Sequence, residues 1–101
     1  MLTFRKYEKH VRTLIDQIVF DYFYLMKSLN LSDCDFTEFS SSIYTLHSES
    51  IDNIGFIIKI KQTLKILDLS NNQKEKVLLK RLDELFEYEK YARKELFKNV
   101  D

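Results

Sequence analysis

The residue types that most often carry protein chemistry are scarce and widely spaced in this sequence. It has one cysteine, Cys34, and two histidines, His10 and His47. A zinc site draws several ligands from these types, often two of them three or four residues apart on one helix. No second histidine or cysteine stands at that spacing here. We therefore expect no metal site and no metal cofactor.

Catalytic side chains do not form a recognisable set either. Cys34 with His47, or a serine with His10, could act as nucleophile and base only through a tertiary contact that the sequence does not indicate. Acidic pairs occur at 83–84 and 87–89, but the surrounding segment is dense in Lys and Arg, which is typical of a solvated helix face. We predict that the protein is not an enzyme.

Glycine and proline usage excludes another class of function. Gly55 is the only glycine, and proline is absent. Loops that cradle phosphates need clustered glycines, so nucleotide hydrolysis is not expected. Hairpin turns also favour glycine, and helices joined by polar loops fit this composition better.

A DNA-binding element can be read into the middle of the chain. A short helix, a loop and a second helix between Ser32 and Leu67 could form a helix-turn-helix that presents Lys59, Lys61 and Lys65 to a groove. The second helix has few of the Arg, Asn and Gln side chains that read bases, the preceding stretch is acidic, and the formal net charge is zero. These features argue against a nucleic-acid partner without excluding one.

The segment from Asp68 to Tyr88, with the long flanking helices, resembles the dimerising helices of MarR-like and SarA-like winged-helix regulators. The resemblance covers about a third of the chain. It implies a dimeric DNA-binding protein, but the basic wing of those families has no counterpart here, and no residue role is carried over.

The elements that position these residues are predicted to be helices within one domain, residues 1–101. Forty-five per cent of the residues are apolar and 32% are charged with balanced signs, as in folded proteins. A first helix is expected from about Thr3, as N-cap, to about Asn30. The apolar residues that recur along it every three or four positions are Phe4, Tyr7, Val11, Leu14, Ile18, Tyr22, Leu25 and Leu29.

The middle of the chain has two readings. Ser32, followed by Asp35, is the expected cap of a short second helix that ends near His47, and a third helix covers about 54–67. Alternation of apolar and polar residues over 56–61 also fits a strand, so an α+β fold with a small hairpin around 41–61 is the alternative. The preferred fold class is all-α, a compact bundle of about four helices with long first and last helices.

The last helix has the clearest start signal, because Ser70 and Gln73 have the spacing of a capping box. The apolar residues at helical spacing that follow are Leu78, Leu82, Leu85, Phe86, Ala92 and Leu96. Glu89 and Arg93 are expected to form an exposed pair one helical turn apart.

The sequence favours a cytoplasmic location. A single cysteine allows no internal disulfide, which suits a reducing compartment. A basic start precedes an apolar stretch, but Asp16 and Asp21 interrupt that stretch and no small-residue cleavage site follows. We therefore expect neither a secretion signal nor a membrane span, and no membrane partner.

The second half of the first helix holds more rings than one face can bury. Successive residues advance about 100° around a helix, so Phe20, Phe23 and Tyr24 are directed away from the face through Leu14 and Tyr22. Either other helices cover these rings or they form an exposed interaction surface.

Charge is segregated along the chain. Lys and Arg cluster over 5–12, and the stretch over 33–52 has acids without Lys or Arg. These groups can neutralise each other or remain solvated faces, or they can form a charged edge that orients a partner. The candidate interaction surface therefore comprises Phe20, Phe23, Tyr24, Asp33, Asp35 and Glu38.

The function expected from this reading is a small non-enzymatic helical protein-interaction module. It would bind and inhibit or regulate a macromolecular partner, in the manner of immunity proteins, antitoxins or phage-encoded inhibitors. The alternative is a compact dimeric helix-turn-helix DNA-binding regulator. The expected partners are a protein and, because two long amphipathic helices leave apolar strips, a second copy in a homodimer. No cofactor is expected.

Overall fold

Four α-helices make up the fold. The computed structural model describes residues 1–69 and 72–98, in which α1 spans Phe4–Ser28, α2 Phe36–Glu49, α3 Asn53–Leu67 and α4 Gln73–Phe97. No strand occurs in these residues, so the predicted all-α bundle with long first and last helices is confirmed. No helix in this part of the chain is long and apolar enough to cross a membrane.

The alternative hairpin around 41–61 is wrong, because α2 and α3 occupy nearly all of that segment. The side chain of Asp52 caps α3 by accepting a hydrogen bond from the Gly55 amide at 2.8 Å. Within α3, Phe56, Ile60 and Leu64 recur every four residues and are buried. Burial of this face at helical spacing outweighs the two-residue alternation that suggested a strand.

Helix α1 begins where the sequence predicted. The Thr3 hydroxyl accepts a hydrogen bond from the Lys6 amide at 3.2 Å, and the chain leaves the helix before Asn30, which has a positive φ of 55°. The predicted face is buried from Val11 to Leu25 and partly buried at Leu29, whereas Phe4, the first residue of the helix, is 64% exposed. The buried residues of α1 are Val11, Leu14, Ile15, Ile18, Val19, Tyr22, Leu25 and Met26.

The cap predicted for α2 is wrong. Asp35, and not Ser32, is the N-cap, since its carboxylate accepts a hydrogen bond from the Glu38 amide at 2.9 Å. Asp35 directly precedes Phe36, and its negative charge also complements the helix dipole. The Ser32 hydroxyl instead lies 2.9 Å from the Cys34 sulfur.

The start of α4 also differs from the expected capping box. Ser70 lies outside the described residues, and Gln73 is the first residue of the helix. Asn72 is the N-cap, and its side-chain oxygen accepts hydrogen bonds from the amides of Lys74 at 2.9 Å and Glu75 at 3.2 Å.

The core lies mainly between α1 and α4, which contact each other more extensively than any other pair of helices. Helix α2 packs chiefly on α1 and α3 chiefly on α4, whereas α2 and α3 contact each other little. The side chains buried at the centre of this arrangement are Ile15, Ile18, Val19, Leu25, Phe56, Ile60, Leu78, Leu82 and Leu85. One face of α1 is thus fully used inside the bundle.

We predict that Asp35→Ala lowers the free energy of unfolding by about 1 kcal/mol, because the Glu38 amide loses its acceptor and the first turn of α2 loses a favourable charge. Urea unfolding followed by circular dichroism measures the change. Ser32→Ala is the matched control and should change stability by less than about 0.5 kcal/mol. The opposite ranking of the two variants would contradict the assignment of the cap.

Candidate functional site

The structure does not bring the potential catalytic residues together. The exposed His10 ring lies 4.2 Å from that of Tyr88, Cys34 contacts Ser32, and His47 Nε2 lies 2.7 Å from Asn53 Oδ1. Among residues 1–69 and 72–98, no group of three or more His, Cys, Asp or Glu side chains is placed to hold a metal ion.

Four rings form a continuous cluster where α1 meets the start of α2. The ring centroid of Phe20 lies 4.7 Å from that of Tyr24 and 6.1 Å from that of Phe36, with edge-to-face geometry. Phe23 contacts both Tyr24, at 6.2 Å, and Phe36, at 5.2 Å. Phe20, Tyr24 and Phe36 are 49%, 50% and 43% exposed, respectively. We call these three residues the aromatic surface.

The aromatic surface is anchored in the core by Phe23, which is half-buried. Its ring centroid lies 5.5 Å from that of Phe39, and the Phe39 ring in turn lies 5.3 Å from that of Tyr22. Phe39 and Tyr22 are both buried. Edge-to-face pairs of this kind are favourable beyond the area that they bury, so each ring restricts its neighbour. The exposed rings are therefore held in position before any partner binds.

Acidic side chains border the aromatic surface. Asp33, Asp35 and Glu38 are all exposed, and Asp35 is the chain neighbour of Phe36. We call these three residues the acidic flank. Because Phe36 packs on Phe20 and Phe23, the chain segment that carries the acidic flank passes beside the aromatic surface. Phe23 forms the base of that surface and not its exposed part.

A groove of about 640 Å³ adjoins the aromatic surface between α1 and α2, with Phe20 and Phe36 at one end and Tyr44 at the other. The Tyr44 hydroxyl donates a hydrogen bond to Asp16, and Arg12 Nε lies 3.5 Å from the same carboxylate. Burial, followed by the Asp16 carboxylate, raises the pKa of Tyr44. No local pattern in the sequence indicates this groove.

A buried carboxylate on α4, beside the first turns of α1, is the main feature that the sequence did not reveal. The predicted pair of Glu89 with Arg93 forms, but its exposure was predicted wrongly at Glu89, which is only 3% exposed. Its Oε1 accepts hydrogen bonds from the Tyr7 hydroxyl and, at 2.7 Å, from Asn53 Nδ2. Arg93 Nε lies 3.4 Å from Oε2. The i,i+4 spacing was the available signal, but Tyr7 and Asn53 are distant in sequence.

The hydrogen bonds of this polar network reach all four helices. Asn53 Oδ1 lies within hydrogen-bond distance of His47 Nε2 on α2, and Arg93 also pairs with Asp52 at 3.3 Å. A cleft of about 460 Å³ opens above the network, and the exposed Phe4, Ile51 and Phe97 lie on its rim. The polar groups at its floor bond one another.

The remaining predicted groups lie on solvent-facing positions. Lys59, Lys61 and Lys65 are exposed on α3, and Lys61 Nζ pairs with Asp83 at 3.2 Å. Glu87 is exposed and pairs with Lys90 at 3.1 Å. These are surface ion pairs of the kind that contribute little to stability.

Comparison with protein families gives one partial similarity. The family model described as Leucine Rich Repeat matches residues 26–46 and 63–85, which are less than half of the chain. Each repeat of that family pairs a strand with a helix or helical turn, and neighbouring repeats stack. In the described part of the matched segments this chain has helices and turns and no strand. No curated protein and no solved structure matches the chain.

We predict that Glu89→Ala lowers the free energy of unfolding by about 3 kcal/mol, because it leaves the Tyr7 hydroxyl, the Asn53 amide and the Arg93 guanidinium without their acceptor. Glu89→Gln retains one acceptor oxygen and should cost about 1 kcal/mol. Glu87→Ala, at an exposed position on the same helix, is the control. Urea unfolding compares them, and equal effects at 87 and 89 would argue against a buried network.

The Tyr7 hydroxyl predicts a pH dependence. Burial, followed by the Glu89 carboxylate, raises the pKa of Tyr7 well above its usual value of 10.0. The folded state then keeps the proton at a pH where the unfolded state releases it, so this contribution to stability is complete below pH 10 and is lost as the pH rises above it. We expect Tyr7→Phe to lose stability less steeply above pH 10 than the wild type. Unfolding midpoints measured from pH 8 to 11 test this, and Tyr24→Phe, which removes an exposed hydroxyl, is the control. The prediction is contradicted if the midpoints of Tyr7→Phe and the wild type fall equally steeply with pH.

Proposed function

We propose that this chain is a non-enzymatic helical protein-interaction module that binds and inhibits or regulates a macromolecular partner. The observation that carries the proposal is the aromatic surface, formed by Phe20, Tyr24 and Phe36. Three large rings are about half exposed, contiguous and held by contacts that continue into the core.

Such a surface has the properties of a protein-binding hot spot. Aromatic side chains are enriched at the centres of interfaces because they offer a large contact area with few rotatable bonds. Edge-to-face contacts already restrict the rings of the aromatic surface, so little side-chain entropy remains to be lost on binding. Rigid rings of this kind favour a specific partner over non-specific adhesion.

The acidic flank adds a charge preference. Asp33, Asp35 and Glu38 are exposed next to Phe36, and none of their carboxylates forms an ion pair within residues 1–69 and 72–98. Exposed charges at the rim of an interface raise the association rate and orient the partner more than they raise affinity. The proposed partner therefore presents apolar pockets beside basic side chains.

The polar network around Glu89 has a structural role in this proposal. The Glu89 carboxylate, the Tyr7 hydroxyl and the Asn53 amide satisfy one another. Groups that are fully engaged in this way hold helices in register and are not poised for proton transfer to a substrate.

We predict that Phe20→Ser and Tyr24→Ser abolish partner capture and cost only about 1 kcal/mol of stability, since each ring is half exposed and truncation of a buried ring costs about 3–5 kcal/mol. The immobilised wild type is used to capture proteins from an extract of the native host, and mass spectrometry identifies them. The captured protein is then purified, and its affinity and activity are measured with and without this chain.

Ile66→Ser is the matched control, because Ile66 on α3 is 83% exposed and lies outside the aromatic surface. It should bind like the wild type. Undiminished capture by the Phe20 and Tyr24 variants would contradict the proposal. Binding to duplex DNA at low salt that weakens steeply as salt rises would instead support the alternative of a DNA-binding regulator.

A further inference from the structure

A single stripe of exposed residues runs along the outer side of α1. Its members follow one another at three- or four-residue spacing and are Lys6, Lys9, Thr13, Gln17, Phe20 and Tyr24. All six lie on one side of the helix, because this spacing keeps residues close to one line along its surface. We call them the outer stripe. It is the side of α1 that the bundle does not cover.

The chemical character of the outer stripe changes from one end to the other. Its first turns carry the ammonium groups of Lys6 and Lys9, its middle is neutral at Thr13 and Gln17, and its last turns carry Phe20 and Tyr24. The acidic flank lies beside the aromatic end, next to Phe36. Neither ammonium group forms an ion pair within residues 1–69 and 72–98.

We propose that a second copy of this chain occupies the aromatic surface in a two-fold dimer, with the two α1 helices antiparallel and the axis near Gln17. Gln17 lies about midway between Lys9 and Tyr24 along the helix. The lysines of each copy then lie opposite the aromatic surface and acidic flank of the other. This inference rests on the proposed function only in taking the aromatic surface as a docking site, and the second copy then competes with the partner for that surface.

Charge decides in favour of the antiparallel arrangement. A parallel pairing would oppose lysines with lysines and acids with acids, which is unfavourable at an interface. The antiparallel pairing places unpaired ammonium groups near unpaired carboxylates and near Tyr24, whose ring face attracts a cation. Because the dimer has a two-fold axis, the lysine–carboxylate contact and the lysine–ring contact each occur twice, once in each half of the interface.

The shape and area of the surface are also suitable. The groove between α1 and α2 is lined near the proposed axis by Thr13, Gln17 and Phe20, with the Arg12–Asp16 ion pair beside them, and it can receive the Phe20 ring of the second copy. A standard interface covers about 800 Å² on each partner. That is about one ninth of the 7025 Å² that this chain exposes.

Charge exchange tests the pairing. Sedimentation velocity of the full chain at micromolar concentration should show a dimer that weakens as salt rises. Lys6→Glu with Lys9→Glu, or Asp33→Lys with Glu38→Lys, should each raise the dimer Kd at least about tenfold. Combining all four substitutions should restore dimerisation; Asp35 is left unchanged because it caps α2. A wild type that stays monomeric at about 100 µM, or a combined variant no better than either pair, would overturn the proposal.

Cross-linking tests the geometry without charge changes. In a Cys34→Ser background, Gln17→Cys should form an intermolecular disulfide under a mild oxidant, because the two copies of residue 17 lie beside the axis. Lys59→Cys, exposed on α3, is the control and should stay monomeric; equal cross-linking at both positions would contradict the antiparallel dimer. A monomeric wild type whose aromatic surface still captures a partner would refute this inference and leave the proposed function intact. A wild type that dimerises but captures no partner would support this inference and contradict the proposed function.

Discussion

The arrangement of the bundle depends on the hydrogen bonds and the ion pair that replace water around the buried carboxylate of Glu89. Glu89 is almost fully removed from water, and a charge in that position is tolerated only if hydrogen bonds and an opposite charge replace its hydration. Tyr7 of α1, Asn53 of α3 and Arg93 of α4 supply them, and Asn53 carries the network on to His47 of α2. Because Tyr7 and Asn53 come from α1 and α3, a shift of either helix along α4 would remove a hydrogen bond from the buried carboxylate, so the network favours the observed register.

Helix α1 serves two purposes because its two sides are used differently. One side packs against α4 and α2 and forms much of the core, while the outer stripe remains in solvent. Phe23 connects the two, since its ring contacts buried Phe39 on one side and exposed Phe36 on the other. The exposed rings are therefore part of a continuous packed array, and their positions depend on the same contacts that stabilise the fold.

Local signals in the sequence were sufficient for the helices themselves. The three- and four-residue spacing of apolar side chains predicted α1 and α4, and Thr3 was correctly identified as a cap, because both depend on residues within one or two turns. The excess of rings over 20–24 left open whether they are covered by other helices or exposed, and the structure exposes Phe20 and Tyr24 while Phe23 is half-buried. The caps of α2 and α4 were missed because several polar residues precede each helix, and only the backbone geometry selects Asp35 and Asn72.

Residue types and short spacings thus determined that this chain folds into four helices with an excess of aromatic rings. Contacts between distant residues decided the rest. Glu89 read as half of an exposed pair because Tyr7 and Asn53 lie far away in sequence, and their approach depends on how α1, α3 and α4 pack. The proximity of the acidic flank to Phe20 and Tyr24 likewise depends on the turn from α1 into α2, which returns Phe36 to the side of α1. The sequence determines which side chains lie on each face of a helix, and only the packing of the helices decides which of these side chains come into contact.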